Sequence, residues 1–454
     1  MDSRARAAVA PAYLFACLVL GGSAQGIWQI MLLQLAGLAI IGWAAWGNGD
    51  APVAPPARQL LWFAALAIFV VLLQLVPLPS GIWAHLGPRG QIARDFTALG
   101  MQVPAEPLSV APAEGLTALL GIIPPLALFC AMVRLKAYRP RWLAVALIAG
   151  TVAGIALGAL QAASSSAARS PWYIYDQTNL GRAVGFFANA NHMGTLLVVT
   201  IPFLAAVIAS AKSRSMQRYS DVVAVSAGLG IVVLVGLALN GSLAGYGLTL
   251  PALAASALII LPLASRLRLW VVGLAVLLVV GAITALETTP IGASKIGEHS
   301  TTSVQSRGDI LATTSRAIGD FMPFGSGLGS FQSVYPLYER PEQVTVTFVV
   351  HAHNDYAELI LELGIAGIIL ILLFLAWWGA AVWRVWRTAE ASPFARAAAI
   401  ASAAILIHSL VDFPLRTEAI AAVLGMCLAL LADSRAAPPK EEKALRRGRH
   451  REIR

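Results

Sequence analysis

Apolar runs about as long as a bilayer is thick recur along nearly the whole chain and stop only near residue 432. A helix crossing the hydrocarbon core needs roughly 20 mostly apolar residues. Inside lipid, each backbone N–H and C=O must be satisfied within the spanning structure, so such runs read as helices. Composition agrees: 58% of the residues are hydrophobic and 12% charged, against about 25% charged in a soluble domain. The deficit is spread over the chain, which excludes a soluble domain carrying one anchor. The expectation is an all-α integral membrane protein with about twelve spans, near 9–24, 27–46, 59–77, 114–133, 142–162, 187–210, 221–239, 243–264, 269–286, 356–383, 395–411 and 417–432.

Charge fixes the expected orientation. Arg4 and Arg6 precede the first run, and no small-residue cleavage site clearly follows, so it reads as a retained helix. With the amino terminus in the cytoplasm, 23 of the 32 Lys and Arg residues fall on the cytoplasmic side and nine on the other. That asymmetry is the positive-inside pattern. It predicts a multi-pass protein of a bacterial inner membrane with both termini cytoplasmic: a membrane domain over 1–434 and a basic tail over 435–454. The formal charge of +9 is concentrated in that tail. Without interleaved aromatic residues the tail suits anionic membrane lipids rather than nucleic acid. Cys17, Cys130 and Cys427 each lie in an apolar run and read as small hydrophobes, not as a disulfide or metal framework.

Three segments are expected to face the periplasm: 78–113, 163–186 and, largest, 287–355. Long connections of this kind usually carry function. The largest ends in His351-Ala-His353-Asn354-Asp355-Tyr356-Ala357-Glu358, a polar cluster leading straight into an apolar helix. Asp355 as N-cap would put Glu358 at the third helical position, an acidic capping box, so both have a plain structural use. His353 then lies just outside a helix start, where the macrodipole disfavours imidazolium. A neutral imidazole there can take a proton from a hydroxyl as a general base; the plainer alternative is a loop histidine satisfied by backbone or water. His351 and His353 lack a third ligand at helical spacing, so no metal site is expected.

Arginines on the outer side form a second signal. Arg182 precedes the sixth helix in Gly181-Arg182-Ala183-Val184-Gly185-Phe186-Phe187-Ala188-Asn189-Ala190-Asn191-His192, and Arg307 and Arg316 sit in the largest segment. Guanidinium groups bind phosphate oxygens bidentately; alternatively they snorkel or pair with Asp309 and Asp320. The run Pro323-Phe324-Gly325-Ser326-Gly327-Leu328-Gly329-Ser330-Phe331 lacks the strand and Gly-Lys-Ser/Thr of a phosphate loop and reads as a permissive turn. Finally, His408 and Asp412 stand four residues apart in His408-Ser409-Leu410-Val411-Asp412-Phe413-Pro414-Leu415-Arg416. Ionisable residues near a membrane edge are costly and usually functional or inward-facing.

In series these stretches resemble the O-antigen ligase and Wzy-type polymerase superfamily. The matching pieces are Gly181-Arg182 with Phe187 to Asn191, Asn240-Gly241-Ser242, Ser306-Arg307, Pro323 to Phe331, His351 to Gly367 and His408 to Pro414, spanning about 180–415. The resemblance implies a GT-C-like, metal-independent glycosyltransferase without cofactors, acting on an undecaprenyl-diphosphate-linked glycan donor. His353 would be the base and Arg307 a diphosphate ligand, with His351, Asn354, Asp355, Glu358, Arg316, Asn191, His408, Asp412 and Arg416 in support. The acceptor would be a lipid A core for a ligase, or another lipid-linked repeat for a polymerase of O-antigen or exopolysaccharide; a protein acceptor is a third option. In one departure, Leu243 stands where many members have the Arg of a Ser-Arg pair, and Arg182 is the substitute. A different class, a non-catalytic glycan transporter, would agree with Pro202 and Pro251 inside helices, but no matched inverted half is visible.

Overall fold

The computed structural model describes residues 3–47, 52–164, 166–212, 215–261, 295–344 and 348–433, with isolated positions between 267 and 281. The expected ninth span (269–286) and the basic tail (435–454) therefore lie largely or wholly outside the described residues. The helices, in order, are α1 Ser3–Leu20, α2 Ile27–Trp46, α3 Pro55–Gln74, α4 Ser80–Trp83, α5 Arg89–Ala98, α6 Pro112–Leu120, α7 Ile123–Val133 and α8 Pro140–Ala162. They continue with α9 Ala190–Ala209, α10 Met216–Asn240, α11 Leu243–Ile260, α12 Lys295–Phe321, α13 Phe331–Val334, α14 Asp355–Arg387, α15 Pro393–His408 and α16 Glu418–Ala432.

Among the described residues, nine stretches are long and apolar enough to cross a membrane, α6 and α7 together forming one of them, and α15 and α16 are shorter apolar helices. The only sheet described is a two-residue antiparallel pairing of Pro77–Leu78 with Glu106–Pro107. This is the architecture of an all-α, multi-pass membrane protein. Helix α9 lies at the centre, packed on α8, α10, α11 and α15, and most of its length is buried. By contrast α2, α3 and α10 leave Leu, Ile, Val and Trp side chains exposed, the surface a lipid solvent requires. Cys17, Cys130 and Cys427 are free and buried.

Two helices differ from the uninterrupted runs that hydropathy predicts. The stretch 114–133 is divided between α6 and α7, and α14 is broken at Gly364, whose φ of 59° and ψ of −136° are not helical. The break has a physical cause on each side. A Cβ at Gly364 would stand 2.2 Å from the Pro323 carbonyl oxygen. The backbone groups freed there are taken up by the glycine-rich run, in which Ser326 N donates to Leu361 O (2.9 Å), Gly327 N to Glu362 O (2.8 Å), and Ile365 N back to Pro323 O (2.9 Å). Gly325, Gly327 and Gly329 all have positive φ, which L side chains rarely tolerate. Gln74 of α3 closes the joint, its Nε2 donating to Phe324 O (3.1 Å) and Glu362 O (3.0 Å). The glycine run is thus a clasp on a broken helix, more than the permissive turn expected from sequence.

Helix polarity defines two ends of the bundle. The starts of α9, α11 and α14 and the finishes of α10 and α15 share one end, where the candidate site lies. At the other end Arg6 donates to Leu135 O (2.8 Å), Arg134 to Ala44 O (3.1 Å) and Arg141 to Ser210 O (2.6 Å), and Lys136 pairs with Asp433 (2.8 Å).

Candidate functional site

The site is built where α14 begins and α15 finishes. Asn354, not Asp355, is the N-cap of α14: its side-chain oxygen accepts from the N–H groups of Tyr356 and Ala357, both at 3.0 Å. The N-cap therefore lies one residue earlier than expected, Ala357 stands at the third helical position, and the capping box of Asp355 and Glu358 does not form, which frees both carboxylates for other partners. Asn354 Nδ2 also donates to Leu410 O (2.9 Å), and Asp355 N to Ser409 O (2.9 Å), which stitches the two helix ends together. His353, just outside the cap, has φ of +50°. A non-glycine residue in this region is strained, and such strain gathers at functional sites.

The first cluster centres on Asp412, which has no exposed surface. Its Oδ1 lies 3.3 Å from His353 Nδ1 and its Oδ2 3.4 Å from Arg307 Nη2. Asn191 Nδ2 donates to Oδ2, and His192 Nε2 stands 4.0 Å from Oδ1. Burial alone pushes this carboxyl up, but the hydrogen bond to His353 and the charge of Arg307 outweigh it. Asp412 is held well below the usual carboxylate range. With Asp412 ionised and able only to accept, Nδ1 of His353 is the donating nitrogen, and Nε2 is the ring nitrogen not tied to Asp412, on a side chain that is 25% exposed. Arg307 Nε is buried without a hydrogen-bond partner among the described residues. The Phe413 ring lies 5.0, 4.4 and 4.9 Å from the rings of His192, His351 and His353 and fixes their spacing.

Asn191 extends this cluster towards α11. Its Oδ1 accepts from Ser242 Oγ (2.8 Å), and Ser242 caps α11 by accepting from Gly245 N (3.1 Å). Arg182 Nη1 donates to Gly241 O (3.2 Å) beside this cap, so it occupies the rim next to Leu243. One turn below Asn191, Thr195 Oγ1 meets His408 Nδ1 at 2.6 Å in a fully buried contact.

The second cluster centres on Arg416 and has the opposite balance. Its guanidinium faces Glu362 (3.0 Å), Glu358 (3.4 Å) and Asp355 (3.7 Å). Burial works against that charge, yet the three carboxylates hold it above its ordinary value. Glu358 also receives Ala352 N and pairs with His351 Nδ1, both at 2.8 Å. Asp355 accepts from Ser409 Oγ (2.7 Å), and Glu362 from Gly329 N (2.9 Å). These contacts hold the 351–353 loop, the glycine clasp and the 409–416 turn as one unit.

Of the side chains expected from sequence, His353, Arg307, Asn191 and Asp412 are brought into direct contact, and Arg182 onto the adjoining rim. His351, Asn354, Asp355, Glu358 and Arg416 form the supporting cluster, and His408 lies one layer deeper. Arg316 is not at the centre: it donates to Thr313 Oγ1 (3.0 Å) and Tyr338 O (2.9 Å), about 13 Å further along α12 at 1.5 Å per residue. Arg307 pairs with Asp412 rather than with Asp309 or Asp320. Sequence reasoning missed His192, Thr195, Phe413 and Glu362. The spacing of Asn191, His192 and Thr195 on one helix was the available signal for the first two; Phe413 and Glu362 gave none. Among the described residues no group of three or more His, Cys, Asp or Glu side chains is arranged to hold a metal ion.

No curated relative matches the chain. A family model does: Wzy_C, described as O-antigen ligase, matches residues 228–372, a stretch that contains Arg307, the glycine clasp and His353 but not Arg182, Asn191 or Asp412. Over that stretch, about a third of the multi-pass chain, the protein is similar to the O-antigen ligase family.

Proposed function

We propose that the protein transfers a glycan from an undecaprenyl-diphosphate carrier to an acceptor hydroxyl at the periplasmic face of a bacterial inner membrane. The observation that carries this reading is the meeting of His353 and Arg307 on one buried carboxylate, Asp412. Asp412 orients the imidazole, and Nε2 takes the proton of the acceptor hydroxyl. The acceptor oxygen then forms its bond to the anomeric carbon from the face opposite the departing phosphate oxygen, inverting that centre. The carbon–oxygen bond to the carrier breaks with its electron pair on the diphosphate. Arg307, with Arg182 from the rim, meets the charge that develops there, a stabilisation that needs no metal ion.

The outward direction of the site rests on charge. Arg6, Arg134, Lys136, Arg139, Arg141, Lys212, Arg384, Arg387 and Arg396 gather at the opposite end, the cytoplasmic one under the positive-inside rule. About twelve spans in a GT-C-like arrangement, with 287–355 as the main periplasmic segment, complete the reading. Ligase and polymerase differ in acceptor: a lipid A core, or a second lipid-linked repeat.

The test is deletion of the gene followed by analysis of surface and carrier-linked glycans. Carrier-linked polymer accumulating with loss of capped lipopolysaccharide means ligase; single carrier-linked repeats mean polymerase. Complementation by His353→Ala that restores normal glycan removes the proposed chemistry. Activity of the purified protein lost in EDTA and restored by a divalent cation contradicts the metal-free leaving-group role.

A further inference from the structure

The end of the bundle away from Asp412 holds a cavity of about 380 Å³, lined by Lys212, Arg387 and Arg396 together with Leu258 to Leu261, Trp386 and Ala389. It lies where α11 and α14 finish and α15 begins, a full bundle length from the starts of α11 and α14 at the candidate site. Among the described residues three cationic side chains line it and no carboxylate does; Glu390, in the adjoining turn, is exposed and outside the lining. Lys212 Nζ donates to Ile260 O, and the Arg387 guanidinium lies 4.2 Å from the Trp383 ring centroid. Neither contact neutralises a charge, and neither side chain makes an ion pair among the described residues. Arg396 Nη2 donates to Thr388 O and Ala389 O, both at 3.3 Å, which fixes its fork at the wall of the cavity.

The lining therefore divides into a cationic head and an apolar flank, the division found in a phospholipid. Basic pockets between membrane helices select anionic headgroups on this principle, and guanidinium groups take up phosphate oxygens in pairs. We propose that this cavity binds the phosphodiester headgroup of an anionic phospholipid, with the acyl chains running along the apolar side chains of α11. The site is separate from the glycan chemistry and stands whether or not that reading holds.

The test is native mass spectrometry of the full-length protein exchanged from detergent into mixtures of phosphatidylglycerol and phosphatidylcholine. Retention of phosphatidylglycerol over phosphatidylcholine is expected. Each cation near a membrane surface contributes about fivefold to anionic-lipid binding, so Lys212→Gln with Arg387→Gln should reduce retention roughly 25-fold. The charge-preserving pair Lys212→Arg with Arg387→Lys should retain the lipid, as should Arg58→Gln, an exposed change elsewhere. Equal retention of phosphatidylcholine by the unaltered protein overturns the proposal, as does a doubly substituted protein that keeps its lipid. Displacement of phosphatidylglycerol by inorganic phosphate at equal concentration also overturns it, because the site would then be one for the free anion.

Discussion

Asp412 and Arg416 are four residues apart, both sit beneath the start of α14, and their surroundings have opposite sign. Asp412 is one carboxylate among many donors: Arg307, His353, Asn191 and, a little further off, His192. Arg416 is one guanidinium among three carboxylates. The acid-rich cluster consumes its own charge in holding the loop, the clasp and the turn together. The donor-rich cluster has donors left over, including Arg307 Nε, and presents them beside a partly exposed imidazole. Under the proposed function the two groups divide the labour: one meets an anionic substrate, the other keeps the first in place.

Substitutions can break this contrast, and the largest effect is expected at the imidazole. His353→Ala should lower transfer by about 10² to 10⁴-fold, the range for a general base, while yield and thermal stability of the purified protein stay unchanged. Arg416→Ala should do the reverse. It removes the guanidinium shared by three buried carboxylates, a cost of about 3–5 kcal/mol, so thermal unfolding in detergent should move to markedly lower temperature. A normal melt for this variant would dissolve the distinction. Arg307→Ala should lower kcat by about 10² to 10³-fold, as for removal of one donor to a developing oxyanion, with the stability of the parent.

Much of the fold was legible because lipid leaves a chain few choices. Helices occupy eleven of the twelve expected stretches in the described residues, and most of the ninth falls outside them. What hydropathy could not reveal was the break at Gly364, since an apolar average carries no information about φ. The start of α14 was misread by one residue because Asn354 and Asp355 are both good caps, and only the Asn354 side chain is turned onto the free N–H groups. His353, Arg307 and Asp412 stood out as polar residues at membrane edges, yet their meeting was invisible: Arg307 and Asp412 are separated by 105 positions. The Arg416 cluster was half legible. Asp355, Glu358 and Arg416 were noted singly and Glu362 was missed, because which carboxylate takes the arginine depends on how α14 turns under the 409–416 segment.

Two smaller effects sharpen the comparison. Gly364→Ala should destabilise by about 1–3 kcal/mol, the cost of a side chain in a positive-φ region populated essentially by glycine, before its clash with Pro323 O is counted. It should act through the clasp and therefore on stability before rate. Arg316→Ala, which removes bonds to Thr313 and Tyr338 outside both clusters, should leave transfer within about twofold and stability within about 0.5 kcal/mol. A severe loss of turnover there would move the anion-binding surface along α12 and away from Asp412.

The most direct measurement is transfer by the purified protein in lipid nanodiscs, supplied with a polyprenyl-diphosphate-linked glycan and its acceptor, comparing the unaltered chain with Asp412→Asn. This change keeps the shape of the hub and removes its charge. The account predicts a folded protein that still binds the donor yet has lost most of its turnover, because the imidazole has lost the carboxylate that orients it. Full turnover by Asp412→Asn would contradict it.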